Sequence, residues 1–312
     1  MSVTDQQETF FQKELLPELR NLEIIRVKQL LRLAYILFAL LASFAGAMLL
    51  FNPFFILVLL LVFLGLYGVL FGRGRERFDF PGAYRNVMNK KMAGLLMEAS
   101  AYQSNRYIGE KELLQSGIIP GPVDDYSGEG LLEGNVGSTP VVMSQLHTRN
   151  MERHPNGDIT YTTIFRGLLL RAEIGADNQD ILYIVSDNDE HLAAYFEEKR
   201  RDINILQPEI VTTGNEKFDA SFTVYATDNT LLQQFLTKEV QTVLTDLVAT
   251  YGPGIRCSLV QQYLFIAYPW REKMFVPSIY KSALDLTGFK EYAAVLKVAE
   301  NLIQAAAGAV KS

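Results

Sequence analysis

The chain has 312 residues, 49% of them hydrophobic and 21% charged, with 29 basic against 35 acidic side chains. Residues 1–80 carry eight Lys/Arg and seven Asp/Glu, net +1, and residues 81–312 carry 21 and 28, net −7, for a total of −6. That acidic balance excludes a nucleic-acid partner, which needs a basic footprint, and the single Cys257 excludes an internally disulfide-bonded scaffold.

Residues 5–32 mix charges with Phe11, Leu15, Leu19 and Leu22 at three- and four-residue spacing. This predicts an amphipathic cytoplasmic helix over residues 1–32, kinked near Pro17 or simply extending the next segment inward. Leu33–Gly72 then runs for 40 residues without a charged side chain. A bilayer core of roughly 30 Å takes about 20 helical residues, so the run predicts two spans. Asn52-Pro53 breaks it, because proline removes a donor and pushes its predecessor out of helical geometry. The expected hairpin has spans at 33–51 and 54–72. A cleaved signal peptide does not fit, since its apolar stretch is shorter, about 7–15 residues.

Arg26, Lys28 and Arg32 flank the first span, Arg73, Arg75 and Arg77 flank the second, and the turn at Asn52 and Pro53 is uncharged. By the positive-inside rule both termini are cytoplasmic, and the protein is multi-pass in the cell (inner) membrane. The same arginines are expected to meet membrane lipid headgroups. Ala42 and Gly46 in the first span, and Gly65, Gly68 and Gly72 in the second, offer small surfaces for close helix packing, within the hairpin or between protomers. Neither span holds an ionisable residue, which disfavours a transporter.

Residues 73–115 read as a basic flank and a linker helix, ended first at Pro81-Gly82 and resuming from Tyr84 to about Ala101. Residues 116–312 read as a cytoplasmic α+β domain with a mainly antiparallel sheet, packed helices and a C-terminal helix. Gly, Pro and Asp between Ser116 and Asn135 predict a loop-rich entry. Thr139–Arg149 and Ile159–Ile174 predict strands joined by a turn at His154-Pro155-Asn156-Gly157, and Ile181–Val185 a short buried strand. His191–Arg201 reads as helix, and Phe218–Ala226 alternates as a half-buried strand. One long helix is expected from an Asp228 N-cap to Gly252, then a hairpin around Gln261-Gln262, then a helix over residues 282–307.

Several tracts in order carry a family likeness. They are Tyr126-Ser127-Gly128-Glu129, Gly134 to Thr139, Ser144 to His147, Thr162 to Leu168, Phe222 to Tyr225, Leu236-Thr237 and Leu264 to Ala267, before Phe275 and Pro277. With a two-span anchor, they resemble the bacterial membrane family catalogued as domain of unknown function 3137. The resemblance implies a membrane-tethered cytoplasmic domain of uncharacterised role, and a LemA-type helical membrane protein as one partner. Three positions depart from it: Gly130 stands where the family pattern has an acidic residue, Gln233 where it has Arg, and Lys238 where it has Pro.

No catalytic or metal-binding spacing is present: no HExxH, no CxxC, no phosphate-binding glycine loop. His147, His154 and His191 read as strand, turn and helix-start residues, and Asp187-Asn188-Asp189-Glu190 as a solvated helix cap. The reading is therefore a membrane-anchored interaction or scaffold domain, without cofactor, that binds a protein or lipid headgroup, or its own copies. A membrane enzyme drawing on His147, Arg166, Asp187 and Asp189, or an oligomeric pore built from the hairpin, are the alternatives.

Overall fold

The computed structural model describes residues 10–50, 57, 60, 61, 64, 65, 79–119, 123–175, 181–186, 208–270, 279–285 and 287–311. The chain divides into two compact units, Met1–Val87 with Val276–Asp285, and Met88–Phe275 with Leu286–Ser312.

The first unit is built on helix α1, Leu16–Leu50, which follows a π-helical turn at Phe11–Leu15. Pro17 lacks the N–H that would bond four residues back, and the wider turn, closed by Leu16 N–H on the Phe11 carbonyl, absorbs that loss. The amphipathic segment and the first apolar segment thus form one helix, without a loop between them. The second expected span, the Asn52-Pro53 turn, Gly68, Gly72, Arg73, Arg75 and Arg77 lie outside the described residues, apart from isolated helical positions such as Gly65.

Helix α2, Phe80–Leu96, begins where a break was expected. Asp79 supplies the start: its side chain accepts from Gly82 N–H at 3.0 Å and its carbonyl from Ala83 N–H at 2.9 Å. Pro81 sits in the first turn, where a missing donor costs nothing. The helix also stops earlier than Ala101, because residues Glu98–Gln103 form an edge strand, β1.

The second unit holds one nine-stranded antiparallel sheet. The remaining strands are β2 (Asp125–Val136), β3 (Thr139–Arg153), β4 (Ile159–Glu173), β5 (Ile181–Ser186), β6 (Glu209–Val211), β7 (Phe222–Ala226), β8 (Arg256–Val260) and β9 (Tyr263–Pro269). Their order is β1-β2-β3-β4-β9-β8-β5-β7-β6. One face carries the core of Leu146, Phe165, Leu169, Tyr183, Tyr225, Phe265 and Ala267. Ile108, Leu113 and Ile118, in and around helix α3 (Glu110–Ser116), belong to the same cluster. Strand alternation turns Leu168, Leu170, Leu264 and Ile266, all buried, to the other face. Helix α7, Thr287–Lys311, touches β9 and carries its own buried stripe through Tyr292, Leu296, Ala299 and Ile303.

The expected loop at 116–135 is mostly strand. Gly128 is there because β3 comes too close for a side chain: a Cβ would stand 2.6 Å from the Gln145 carbonyl oxygen. Gly130 has φ +74° and lies inside the register break between Glu129 and Leu132, so it serves a bulge and not a turn. Phe218 is not in a strand. It lies in a single helical turn, α4 (Glu216–Asp219), and stacks on Phe222 with ring centroids 4.8 Å apart.

The long helix expected from Asp228 is two helices, α5 (Asn229–Phe235) and α6 (Lys238–Tyr251). Asp228 caps the first, accepting from Thr230 N–H at 2.9 Å. Thr237 then caps the second, accepting from Val240 N–H at 3.4 Å. A hydroxyl that satisfies an orphan donor makes restarting the helix cheap, and Leu236 turns the chain with φ −89° and ψ 58°. Lys238 is the first helical residue, and Thr237 has the extended φ −61°, ψ 164° that a following proline requires. Lys238→Pro is therefore expected to raise the urea unfolding midpoint, adding about 0.5 kcal/mol by restricting the unfolded chain.

Candidate functional site

Helix α1 has a foot and a shaft of different character. In the foot, Phe11, Leu15, Leu19 and Leu22 are buried, the spacing of one helical face. Glu23 and Arg26 follow on the next turn and form an ion pair, Arg26 Nη2 to Glu23 Oε1 at 2.6 Å. Both side chains also reach the segment 279–285 of the same unit. Arg26 Nη1 donates to the Ile279 carbonyl at 2.7 Å, and Glu23 Oε2 accepts from Ala283 N–H at 2.7 Å. Arg26 is buried in this clasp, whereas Lys28 and Arg32 are exposed.

The Arg26 hydrogen bond, opposed in part by burial and helped by the Ala283 amide, holds the Glu23 carboxyl below its ordinary 4.5. A depressed carboxyl stabilises the folded form above the unfolded value, and that contribution is lost as pH falls through the lower folded value. The clasp should therefore be intact at neutral pH and weaken in acid, as pH falls from 4.5 through the lower folded value. Proteolysis within 279–285 should rise over that acid range in the native chain. In Glu23→Gln it should already be raised at pH 7, because the charge-assisted bonds, worth about 1.5–3 kcal/mol, are gone.

Above the foot the helix is apolar on every side, and most of its described side chains are exposed. Leu33, Tyr35, Leu37, Phe38, Leu40, Leu41 and Phe44 are all exposed, Phe38 by 70%. From Leu33 to Leu50 it is about 27 Å long at ~1.5 Å per residue. Among the described residues this is the helix long and apolar enough to cross a membrane. A helix that is hydrophobic all round belongs either in a protein core or in lipid, and this one is not in a core. Ala42 is exposed, and a Cβ placed on Gly46 or Gly65 would meet nothing within 4 Å.

Of the four residues considered for chemistry, the structure describes two. His147 and Arg166 are cross-strand partners on β3 and β4, and His147 Nε2 lies 3.1 Å from Thr163 Oγ1. Asp187, Asp189 and His191 lie outside the described residues. Among the described residues no group of three or more His, Cys, Asp or Glu could hold a metal ion. Cys257 is buried, and that burial pushes its thiol up to about 12, far from the range of a reactive thiolate.

The family tracts instead hold the sheet together. The Tyr126 hydroxyl donates to the Ile108 carbonyl, and the buried Ser144 hydroxyl accepts from Ile108 N–H at 3.0 Å, fixing the loop before α3. Glu112 pairs with Arg171, whose guanidinium lies 5.0 Å from the centre of the Tyr263 ring. Gly167 is the point where β9 joins β4: a Cβ would stand 2.0 Å from the Tyr268 carbonyl oxygen. Sequence spacing could not reveal the Glu23–Arg26 clasp, since its partners are about 260 residues away.

The stretch from this junction through α7 decides the family likeness. Residues 163–306 match the model of a protein family of unknown function, DUF3137. The match begins within β4 and ends within α7, so it takes in strands β5 to β9 and helices α4 to α6. The DUF3137 resemblance expected from the scattered tracts is thereby shown. Among solved structures, the crystal structure of the mycobacterial trehalose monomycolate transport factor A, TtfA, is similar at 8% identity and a TM-score of 0.36. The alignment covers 70% of this chain and 95% of that one. No curated protein matches.

Proposed function

We propose that the chain is a membrane-anchored interaction or scaffold protein, whose α+β domain binds a protein or a lipid headgroup at the cytoplasmic face of the inner membrane. The observation that carries this reading is the shaft of α1, apolar and largely exposed over its described side chains from Leu33 to Gly46, above a foot clasped by Glu23 and Arg26. The uncharged run to Gly72 supports a second span and a hairpin turning at Asn52-Pro53. The flanking bases Lys28, Arg32, Arg73, Arg75 and Arg77 support cytoplasmic termini. The partner class suggested by the family resemblance is a LemA-type helical membrane protein.

The test is affinity purification of the C-terminally tagged full chain from gently solubilised membranes, with mass spectrometry. A stoichiometric protein or lipid that co-purifies supports the proposal. Recovery of the chain alone, with no bound protein or lipid above background, contradicts it.

A further inference from the structure

Residues 279–285, Ile-Tyr-Lys-Ser-Ala-Leu-Asp, form a strap held to the foot of α1. Arg26 fixes the strap at the Ile279 carbonyl, and Glu23 fixes it at Ala283 N–H. Ala283 is buried, and Leu284 N–H donates to the Ser282 hydroxyl at 3.1 Å. Arg26 is nearer the shaft than Glu23, so the strap begins on the shaft side of the clasp and runs away from it.

Between its two fixed points the strap exposes its side chains. Tyr280 is 80% exposed, more than Phe38 in the shaft at 70%, and Lys281 and Ser282 are exposed beside it. A backbone bonded on both sides of Tyr280 is not a frayed end, so this exposure is built into the fold. An amphipathic ring with an apolar body and a polar tip is favoured at the boundary between membrane and water.

The height of the clasp suits that boundary. From Leu31, at the end of the shaft, to Arg26 is five residues, about 7 Å along a helix. One headgroup layer is about 5–7 Å deep. Charge is sorted along the same axis. Glu14, Glu18 and Glu23 all precede Arg26, whereas the charged residues between Arg26 and Leu33 are the exposed bases Lys28 and Arg32. The strap repeats the order, with Lys281 at its shaft end and Asp285 at its far end. Two separate segments thus set bases toward the shaft and carboxylates away from it, which complements an anionic membrane surface.

We propose that the strap is a lipid-contact surface: Tyr280 and Lys281, together with Lys28 and Arg32, sit in the anionic headgroup layer of the bilayer that α1 enters. The proposal rests on the membrane reading above and deepens it, naming the headgroup chemistry and a contact outside the helix. The clasp then has a purpose, since it holds the strap at headgroup height.

Tryptophan fluorescence of the full chain tests it, in phosphatidylcholine vesicles with or without about 30% phosphatidylglycerol. Trp270, the native tryptophan, supplies a background that is subtracted. With phosphatidylglycerol present, Tyr280→Trp should lose at least about half of its added emission to a nitroxide on the lipid headgroup. Omitting phosphatidylglycerol, or adding Lys281→Glu, should cut that loss at least about threefold. Phe38→Trp, read with bromine on the acyl chains, is the control for the anchor and should be quenched in every vesicle. An unquenched Phe38→Trp would overturn the membrane reading and the proposal with it. Tyr280→Trp unquenched beside a quenched Phe38→Trp would overturn the proposal alone, leaving the strap to a protein partner. Quenching of Tyr280→Trp that ignores both phosphatidylglycerol and Lys281→Glu would overturn the anionic recognition.

Discussion

Leu41→Arg combined with Phe44→Arg should strip the chain from the membrane fraction. Both side chains are exposed, by 61% and 63%, on a shaft with no charged residue from Leu33 to Leu50. In lipid, an arginine near the middle of a span costs about 2.5–3.5 kcal/mol, so the pair removes about 5–7 kcal/mol of insertion energy. In water, two arginines at exposed helix positions would change stability by no more than ~0.5 kcal/mol each. The two environments thus give opposite results for one variant. Leu31→Arg supplies the control: it is equally exposed, at 64%, but sits beside Arg32 at the end of the shaft, where a long side chain can reach the interface. Alkaline carbonate extraction reads the outcome. The double variant should be extracted and Leu31→Arg retained. Retention of both would show that the shaft is not what holds the chain in the bilayer.

Gly167→Ala should destabilise the sheet unit by about 3 kcal/mol, near the upper end of what overpacking costs. The added methyl would fall 2.0 Å from the Tyr268 carbonyl oxygen and 2.8 Å from the Pro269 Cα. Both are backbone atoms of β9, so no rotamer change relieves the contact. Separating the strands would also strain the Trp270 N–H bond to the Arg166 carbonyl, 2.7 Å long. The family tract ending in Arg166-Gly167-Leu168 thus reflects a strand junction. Gly109→Ala is the comparison. It has φ −69°, and its Cβ would meet nothing closer than 3.9 Å, so its urea midpoint should stay close to that of the wild type. Equal midpoints for the two variants would refute the junction argument.

These residues also mark what the sequence could and could not disclose. Alternation in residues 139–174 and the polar run His154–Gly157 gave the β3–β4 hairpin, because each strand has one buried face and the turn has few alternatives. Asp228 announced a helix start for a local reason, a carboxylate beside free N–H groups. Strand β2 was hidden, since Gly128 and Gly130 look like turn residues until the closeness of Gln145 and the bulge are known. The break at Leu236-Thr237 had a local signal: a threonine followed by the position where the family pattern carries proline is a helix start. The unbroken apolar rows on both sides of that break outweighed it. The clasp had none, because Glu23 and Arg26 meet backbone groups of Ile279 and Ala283 that no side-chain pattern specifies.

The central claim is that the apolar shaft crosses a membrane with the α+β domain on its cytoplasmic side. Labelling with a membrane-impermeant maleimide tests it most directly, using Asn52→Cys and Ser312→Cys in intact cells. Background is low because the native Cys257 is buried and its thiol is held protonated. The account predicts that Asn52→Cys is labelled from outside and that Ser312→Cys is labelled only after lysis. Labelling of Ser312→Cys in intact cells would contradict it, and would put the whole α+β domain on the other side of the membrane.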